Sequence, residues 1–126
     1  MILGTGVDIV EVFRMKDAID KWGDNFLKKI FTDREIRYSM SKRFSCQHFA
    51  ARFAAKEAVL KALKVRPRKG QRLSGIEVKR EATGKPFIAL ALESRKQFRM
   101  PAQAQIELSI AHEREYAIAT VVIVIP

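Results

Sequence analysis

Residues 49–63 constrain the fold most strongly, because this stretch has the composition of a helix that is apolar on nearly every side. Ala, Phe and Leu dominate it, and a helix without a clean polar stripe is predicted to be buried. Glu57 nevertheless lies inside it. A second carboxylate, Asp8, stands in the middle of the β-branched segment 6–10, which we predict to be a strand. Because an unpaired carboxylate is costly to bury, the two together indicate a divalent-metal site.

The rest of the pattern predicts an α+β fold, with helices mostly in the first half and strands mostly in the second. Thr32 and Glu35 have the spacing of a capping box, so a helix is expected to begin there. Helices are predicted over 14–22, 25–30, 33–40, 46–63 and 93–99, and strands over 1–12, 76–78, 87–92, 106–110 and 116–125. Since no repeat, linker or low-complexity segment appears, we expect residues 1–126 to form one domain.

The charge is strongly positive, +10 overall, and residues 52–72 carry eight basic side chains against Glu57 alone. This excess favours an anionic partner, which could be nucleic acid, a phosphorylated cofactor or an acidic protein, although a solvated surface explains it too. The longest apolar run, 116–125, is too short for a membrane helix, so no membrane association is expected. The start of the chain has no basic segment followed by an apolar one, and Cys46 is the single cysteine. We therefore expect a cytoplasmic protein without an internal disulfide.

Two carboxylates with open positions suit Mg²⁺, which keeps waters and binds substrate phosphates, and Mn²⁺ accepts the same oxygen ligands. Simpler explanations stay open at this point. Glu57 could form a surface pair with Lys61 four residues on, and Asp8 could face outward or cap the next helix. With only two histidines in the chain, a zinc site is not expected.

Phosphate chemistry would account for the bases around this pair of carboxylates. Lys61 could neutralise a phosphoryl oxygen, while Arg52, Lys56 and Lys85 could hold more remote phosphates. His112, at the end of an apolar strand, is either structural or a further phosphate contact. Neither a Walker A sequence nor a Gly-x-Gly-x-x-Gly pattern is present, so a nucleotide-binding P-loop is not supported.

Four segments together resemble the holo-acyl-carrier-protein synthase family, in its order and at its spacing: 6–11, 53–63, 84–86 and 109–112. The resemblance covers essentially the whole chain. It implies the phosphopantetheinyl transferase fold, with helices packed on a small, mainly antiparallel sheet, and a homotrimer with active sites between subunits. It also implies transfer of 4′-phosphopantetheine from coenzyme A to a serine of apo acyl carrier protein, supporting fatty acid biosynthesis and releasing adenosine 3′,5′-bisphosphate.

The resemblance also assigns roles to residues of this sequence. It implies that Asp8 and Glu57 bind Mg²⁺ and that Glu57, directly or through a bound water, helps remove the serine proton. Lys61 would stabilise charge on the phosphate under attack. The remaining contacts to coenzyme A would come from Gly84, Lys85, Pro86 and His112. The basic first-helix residues that could dock the acidic carrier protein by charge complementarity are Arg14, Lys16 and Lys21.

The sequence departs from the family pattern after the long helix, where residues 64–70 replace a Gly-Thr-Gly loop by a stiffer and more basic one. Ala111 also stands where a serine is common, and Glu113 where an aspartate is. None of these changes touches Asp8, Glu57 or Lys61. Two alternatives remain: a catalytically silent member of the family, and a nucleic-acid-binding protein. Because the predicted strands do not interleave aromatic and basic residues, nucleic acid is not the expected partner.

Overall fold

The computed structural model describes residues 1–66, 68 and 71–126. Three consecutive helices follow the first strand, and the other four strands lie in the second half of the chain, which confirms the α+β prediction. In chain order they are β1 (Ile2–Glu11), α1 (Val12–Ile30), α2 (Asp33–Met40), α3 (Ser45–Ala62), β2 (Ile76–Arg80), β3 (Pro86–Leu90), α4 (Leu92–Gln97), β4 (Gln105–His112) and β5 (Tyr116–Val124). No helix within the described ranges combines the length and hydrophobicity needed to cross a membrane.

The strands form two antiparallel sheets of different size. The larger sheet has the order β1-β5-β4, so the last strand of the chain lies at its centre. The smaller sheet is the β2–β3 hairpin, in which Arg80 pairs with Pro86. Helix α3 crosses the inner face of the larger sheet and supplies much of the core, which confirms that this helix is mostly buried.

Two glycines allow α3 to lie directly on β1. A Cβ atom at Gly4 would come within 2.0 Å of the backbone oxygen of Ala62, and one at Gly6 within 2.0 Å of that of Ala58. No side chain fits such a separation, so only glycine allows strand and helix to touch here. Because side chains alternate along a strand, Asp8 lies on the same inner face as the two glycines and meets the helix beside them.

The capping box is confirmed at the start of α2. The backbone N–H of Glu35 donates to the Thr32 hydroxyl at 3.2 Å, and the Glu35 carboxylate accepts from the backbone N–H of Thr32 at 2.9 Å. The predicted stop near Gly23 is also observed, as a single residue with φ of +58° that kinks α1. A positive φ is readily adopted only by glycine, which explains the residue at this corner.

Helix α3 ends in a left-handed turn that is normally built on glycine. Lys64 has φ of +59°, and the N–H of Val65 donates to the carbonyl of Leu60 at 2.9 Å. This is the hydrogen-bonding pattern of a Schellman motif, so the chain keeps the turn although it lacks the glycine. The stiffer loop predicted over 64–70 is described only in part, because Pro67, Lys69 and Gly70 lie outside the described residues.

Candidate active site

A cleft of about 480 Å³ lies where β1 meets α1 and α3, and the two predicted metal-binding carboxylates line it. Asp8 reaches it from the inner face of β1, and Glu57 from a half-buried position on α3. Arg14 lines the same cleft from the start of α1, with Phe53 and Tyr116 among its apolar walls. Strand and helix therefore bring together two residues that are 49 positions apart in the sequence.

Lys61 joins this group through Asp8. Its ammonium donates to the Asp8 carboxylate at 3.0 Å and to the backbone carbonyl of Val7 at 2.9 Å. The Lys61 side chain is 55% exposed and that of Asp8 is 17% exposed. The ammonium thus stays open to solvent at the edge of the cleft, where it can approach an anionic ligand.

The carboxyl group of Glu57 has a shifted pKa. Burial raises the pKa of its carboxyl group, the negative charge of Asp8 raises it further, and Lys61 opposes both effects. Within the described ranges, no salt bridge involves Glu57. A half-buried carboxylate beside a second carboxylate gains most from a cation placed between them.

This donor set fits a divalent cation that prefers oxygen. Two carboxylates are enough for Mg²⁺, whose other positions are usually filled by water and substrate phosphates. The described residues contain no group of three or more His, Cys, Asp or Glu side chains able to hold a metal ion. A cation at this site would therefore depend on ligands from outside the described chain as well as on Asp8 and Glu57.

A second group of predicted residues lies at the opposite end of α3. The Arg52 guanidinium stacks on the Tyr38 ring at 4.2 Å, and Arg80 approaches the same ring at 5.5 Å. Buried Arg52 lines a cavity of about 260 Å³ with these two neighbours. Its Nε is buried and has no hydrogen-bond partner among the described residues, which leaves a donor available to an anion.

His112 joins this second group from the end of β4. Its ring packs edge-on against that of His48 at 4.8 Å between centroids, and its Nδ1 lies 3.0 Å from the Gln47 amide oxygen. Burial, together with the charges of His112, Arg52, Lys42 and Arg80, lowers the pKa of His48 to about 4. Burial also lowers the pKa of His112, assisted by the two arginines. The group is therefore electropositive but holds its histidines neutral at neutral pH.

Gly84 and Lys85 lie in the turn between β2 and β3, and Pro86 is the first residue of β3. Gly84 has φ of +91°, and its N–H donates to the carbonyl of Glu81 at 2.8 Å. A Cβ built on Gly84 would lie 4.0 Å from the Arg80 guanidinium, so this turn belongs to the same end of the molecule as Arg52. Lys85 is exposed there.

Lys56 is the one predicted phosphate contact that the structure corrects. Its side chain is fully buried and its ammonium forms a salt bridge with Glu35 at 2.8 Å. The same ammonium donates to the backbone carbonyls of Leu73 and Ile76. All three of its N–H donors are thus used inside the protein, and the group cannot reach a phosphate.

The three cations predicted to dock a partner are all exposed on α1, but they differ in their surroundings. Lys16 pairs with Asp20 at 2.7 Å, and Lys21 lies 3.8 Å from Asp17. Both are exposed i,i+4 pairs on one helix, which contribute little energy and screen their own charge. Arg14 instead faces the cleft with Asp8 and Glu57.

Sequence reasoning missed Tyr38, His48 and Arg80 as members of the second group. Tyr38 lies in a short helix where an aromatic residue is expected to pack, and Arg80 ends a strand where a charge is unremarkable. The available signal was the helical spacing of His48 and Arg52, four residues apart, which places both on one face of α3.

Comparison with known proteins identifies the family. Residues 4–121 match the model of the 4′-phosphopantetheinyl transferase superfamily. The chain belongs to this superfamily. A holo-[acyl-carrier-protein] synthase of Thermodesulfovibrio yellowstonii is 46% identical over 123 residues, covering 98% of this chain and 99% of the relative. The resemblance drawn from the four sequence segments is therefore confirmed, and the chain is an enzyme of the holo-[acyl-carrier-protein] synthase type.

Solved structures agree with this assignment. The holo-[acyl-carrier-protein] synthase of Neisseria meningitidis superposes with a TM-score of 0.86 at 30% identity, covering 98% of this chain and 99% of that one. The synthase of Bacillus anthracis, solved in complex with CoA (3′,5′-ADP), gives a TM-score of 0.79 at 32% identity and covers 98% and 96% of the two chains. The transferase fold expected from the sequence is thus confirmed, with helices on a small antiparallel sheet.

Proposed function

We propose that this transferase moves 4′-phosphopantetheine from coenzyme A to a serine of apo acyl carrier protein, releasing adenosine 3′,5′-bisphosphate, in a Mg²⁺-dependent reaction that serves fatty acid biosynthesis in the cytoplasm. The observation that carries the proposal is that Asp8 and Glu57 line one cleft while Lys61 is hydrogen-bonded to Asp8. Phosphoryl transfer depends mainly on positioning and on charge stabilisation, and these side chains can supply both.

Asp8 and Glu57 would hold the cation, Mg²⁺ or Mn²⁺, which when bound neutralises charge on the pyrophosphate of coenzyme A. Glu57 also serves as the base for the serine hydroxyl, directly or through a water. Its carboxylate lies in the cleft beside Asp8, where it can accept a proton from a hydroxyl bound there. Lys61 places its exposed ammonium beside the phosphate under attack, held there by Asp8 and the carbonyl of Val7.

The second group would hold the remote, nucleotide end of coenzyme A. Arg52 contributes its unpartnered Nε, His112 lies beside it, and Lys85 stands exposed on the turn formed with Gly84 and Pro86. The cavity is suited to a phosphate, because several basic side chains line it and no exposed carboxylate does. Glu35, which also lines it, is buried and already paired.

We infer that the protein associates with shared active sites, as the homotrimer that the family resemblance implies, and two features of the protomer support association. Asp8 and Glu57 line one cavity, Arg52 and Arg80 line another, and the two cavities have no lining residue in common. The outward face of the larger sheet is also apolar, with Val7 52%, Ile9 61% and Ile118 39% exposed. A solvated sheet face is ordinarily polar, so this one is suited to burial against a second copy of the chain. Association would let one protomer's Asp8 cleft face another's Arg52 cavity.

Sedimentation analysis tests this assembly separately from the chemistry. We expect the wild-type protein to sediment as a trimer, and Ile118→Arg, which places a charge at the centre of the apolar face, to sediment as a monomer with little activity. Glu93→Arg, an equally drastic change on exposed α4, should leave the trimer intact. A fully active monomer would contradict the shared site.

The carrier protein would approach along α1. Arg14 is the cation best placed to guide an acidic partner, since it lines the catalytic cleft. Lys16 and Lys21 would add electrostatic attraction along the same helix, reduced by their pairing with Asp20 and Asp17. We propose that residues 1–126 act as a single domain in this recognition.

The decisive experiment is intact-mass analysis of an apo acyl carrier protein after incubation with the enzyme, coenzyme A and Mg²⁺. We expect the carrier to gain one phosphopantetheine, and the gain to disappear with EDTA or in Glu57→Gln. Glu93→Gln is the matched control, because it removes an exposed carboxylate of α4 away from the cleft. Binding of coenzyme A without transfer, in a correctly assembled wild-type protein, would contradict the proposed reaction.

A further inference from the structure

The buried Lys56–Glu35 pair is a group of charges that the proposed reaction does not use. Both side chains are completely inaccessible to solvent, and the ammonium and carboxylate are 2.8 Å apart. Burial lowers the pKa of Lys56, against the opposing attraction of Glu35. Buried ion pairs seldom add net stability over an apolar core, so their presence calls for another physical reason.

The bonds of this pair converge on one strand. Lys56 donates to the backbone carbonyls of Leu73 and Ile76, just before and at the start of β2. The second carboxylate oxygen of Glu35 accepts from the backbone N–H of Val78 at 2.9 Å. Two side chains, one on α2 and one on α3, therefore fix the backbone of β2 from both its carbonyl and its amide groups.

A neighbouring hydrogen bond extends the same connection. The Thr32 hydroxyl, at the N-terminus of α2, donates to the Glu77 carboxylate at 2.7 Å. The capping box thus serves two purposes: Glu35 caps its own helix and simultaneously holds Lys56 and β2. A one-residue slip of β2 would break the bonds to Ile76 and Val78 together, because alternate backbone groups point in opposite directions.

The β2–β3 hairpin needs such an anchor. It forms a two-stranded sheet of its own, separate from the β1-β5-β4 sheet. An isolated two-stranded hairpin is at best marginally stable, so its placement depends on what it is attached to. Its far end carries Arg80 and the Gly84 turn, which belong to the second group of site residues.

We propose that Glu35 and Lys56 are positioning residues for the transferase, whose buried pair holds the β2–β3 hairpin in the one register on α3 that presents Arg80 and the turn 84–86 to coenzyme A. This inference rests on the proposed function, because it takes that turn to contact coenzyme A. Lys56 is also the chain neighbour of Glu57, so the pair fixes the hairpin relative to the helix that bears the catalytic carboxylate.

Three variants separate positioning from simple core filling. Lys56→Met leaves the Glu35 carboxylate buried without its partner, whereas the double variant Glu35→Gln/Lys56→Met removes both charges at nearly constant volume. Ile123→Ala is the control, since it opens the core at the end of β5 that pairs with Gly4 and Ile106, away from the hairpin. The double variant keeps the test available if Lys56→Met fails to fold.

Two readouts are needed for each variant: amide hydrogen exchange of the paired strand residues Val78 and Ile88, and steady-state KM for coenzyme A against kcat. We expect the double variant to exchange faster in the hairpin and to raise KM about tenfold, equivalent to about 1.4 kcal/mol, with kcat nearly unchanged. Ile123→Ala should lower the unfolding temperature without either effect.

The outcomes distinguish this inference from the proposed function. Unchanged hairpin exchange in the double variant would overturn the positioning role whatever the kinetics show. Faster exchange with an unchanged KM would overturn the assignment of coenzyme A to the turn 84–86, and the positioning role with it. Because exchange is measured without substrate, it reports on the anchor independently of whether the transfer reaction has been assigned correctly.

Discussion

Two lysines of helix α3, about one and a half turns apart, each pair with a carboxylate from another element, and the two pairs differ completely in their exposure to solvent. Lys56 and Glu35 are 2.8 Å apart and wholly buried, whereas Lys61 and Asp8 are 3.0 Å apart with the lysine 55% exposed. The buried pair has every donor bonded within the protein and can only hold elements together. The exposed pair keeps a cation at the mouth of a cleft, so the same chemistry serves structure in one place and recognition in the other.

Breaking the buried pair should have the largest effect on stability. Lys56→Met leaves an uncompensated carboxylate in the core, and we expect a loss of about 3–5 kcal/mol in the free energy of unfolding. Lys61→Met should cost less than about 1 kcal/mol, because its pair is exposed. Urea unfolding of both variants checks the difference, and equal losses would show that exposure does not separate the two pairs.

The effects on catalytic rate should have the opposite order, with the larger loss at Lys61. We expect Lys61→Met to lower kcat by about 10²–10³-fold, the loss typical of removing one group that stabilises charge in a transition state. Lys64→Met, at the next exposed lysine of the same helix end, provides the matched control and should retain most of kcat. Single-turnover transfer to the carrier protein measures the step directly, and a near-normal rate for Lys61→Met would contradict its catalytic role.

His48, which lies among positive charges, should make the stability of the protein depend on pH. Since the folded protein lowers the pKa of His48 to about 4 from an ordinary 6.5, the unfolded chain binds more protons between these values. Stability should therefore decline as the pH falls through that window, and His48→Phe should decline less steeply. Thermal unfolding at several pH values compares the two proteins, and parallel curves would contradict the assignment.

The smallest effect is expected at the end of α3, where Lys64 occupies a left-handed turn with φ of +59°. Lys64→Gly should relieve about 1 kcal/mol of backbone strain in the folded protein. Because glycine also raises the entropy of the unfolded chain, we expect the free energy of unfolding to rise by only about 0.5 kcal/mol. Arg99→Gly should gain similarly, since Arg99 has φ of +53° after α4. The control is Lys28→Gly within α1, which should lower the free energy of unfolding by about 1 kcal/mol, because glycine destabilises an ordinary helical position.

Much of the fold could be predicted because its signals are local. The Thr32–Glu35 capping box, the break at Gly23 and the apolar helix 46–63 each depend on neighbours a few residues apart, and the structure confirms all three. Carboxylates in apolar surroundings, together with the family resemblance, point to Asp8, Glu57 and Lys61. The cleft shared by Asp8 and Glu57 and the bond from Lys61 to Asp8 agree with that selection, while their catalytic roles stay predictions.

The error at Lys56 has a physical explanation. On a helix that is apolar nearly all round, the sequence does not show which lysine faces the core, and the partner that decides it, Glu35, lies 21 residues earlier. The sequence pattern identifies Glu35 only as a capping residue, whereas its second carboxylate oxygen also accepts from the backbone N–H of Val78. The second group was incomplete for the same reason, because Tyr38, Arg52 and Arg80 meet only when α2, α3 and the hairpin pack together.

The family, the order of helices and strands and the charged residues available for chemistry can all be read from the amino-acid sequence, because periodicity and motif spacing are local properties of the chain. Which of those charges are buried and which are exposed depends on the tertiary structure. Burial is set by contacts between segments distant in the chain, such as Gly6 against Ala58 and Glu35 against Lys56. Desolvation then makes one lysine a structural anchor and leaves another free to meet a phosphate.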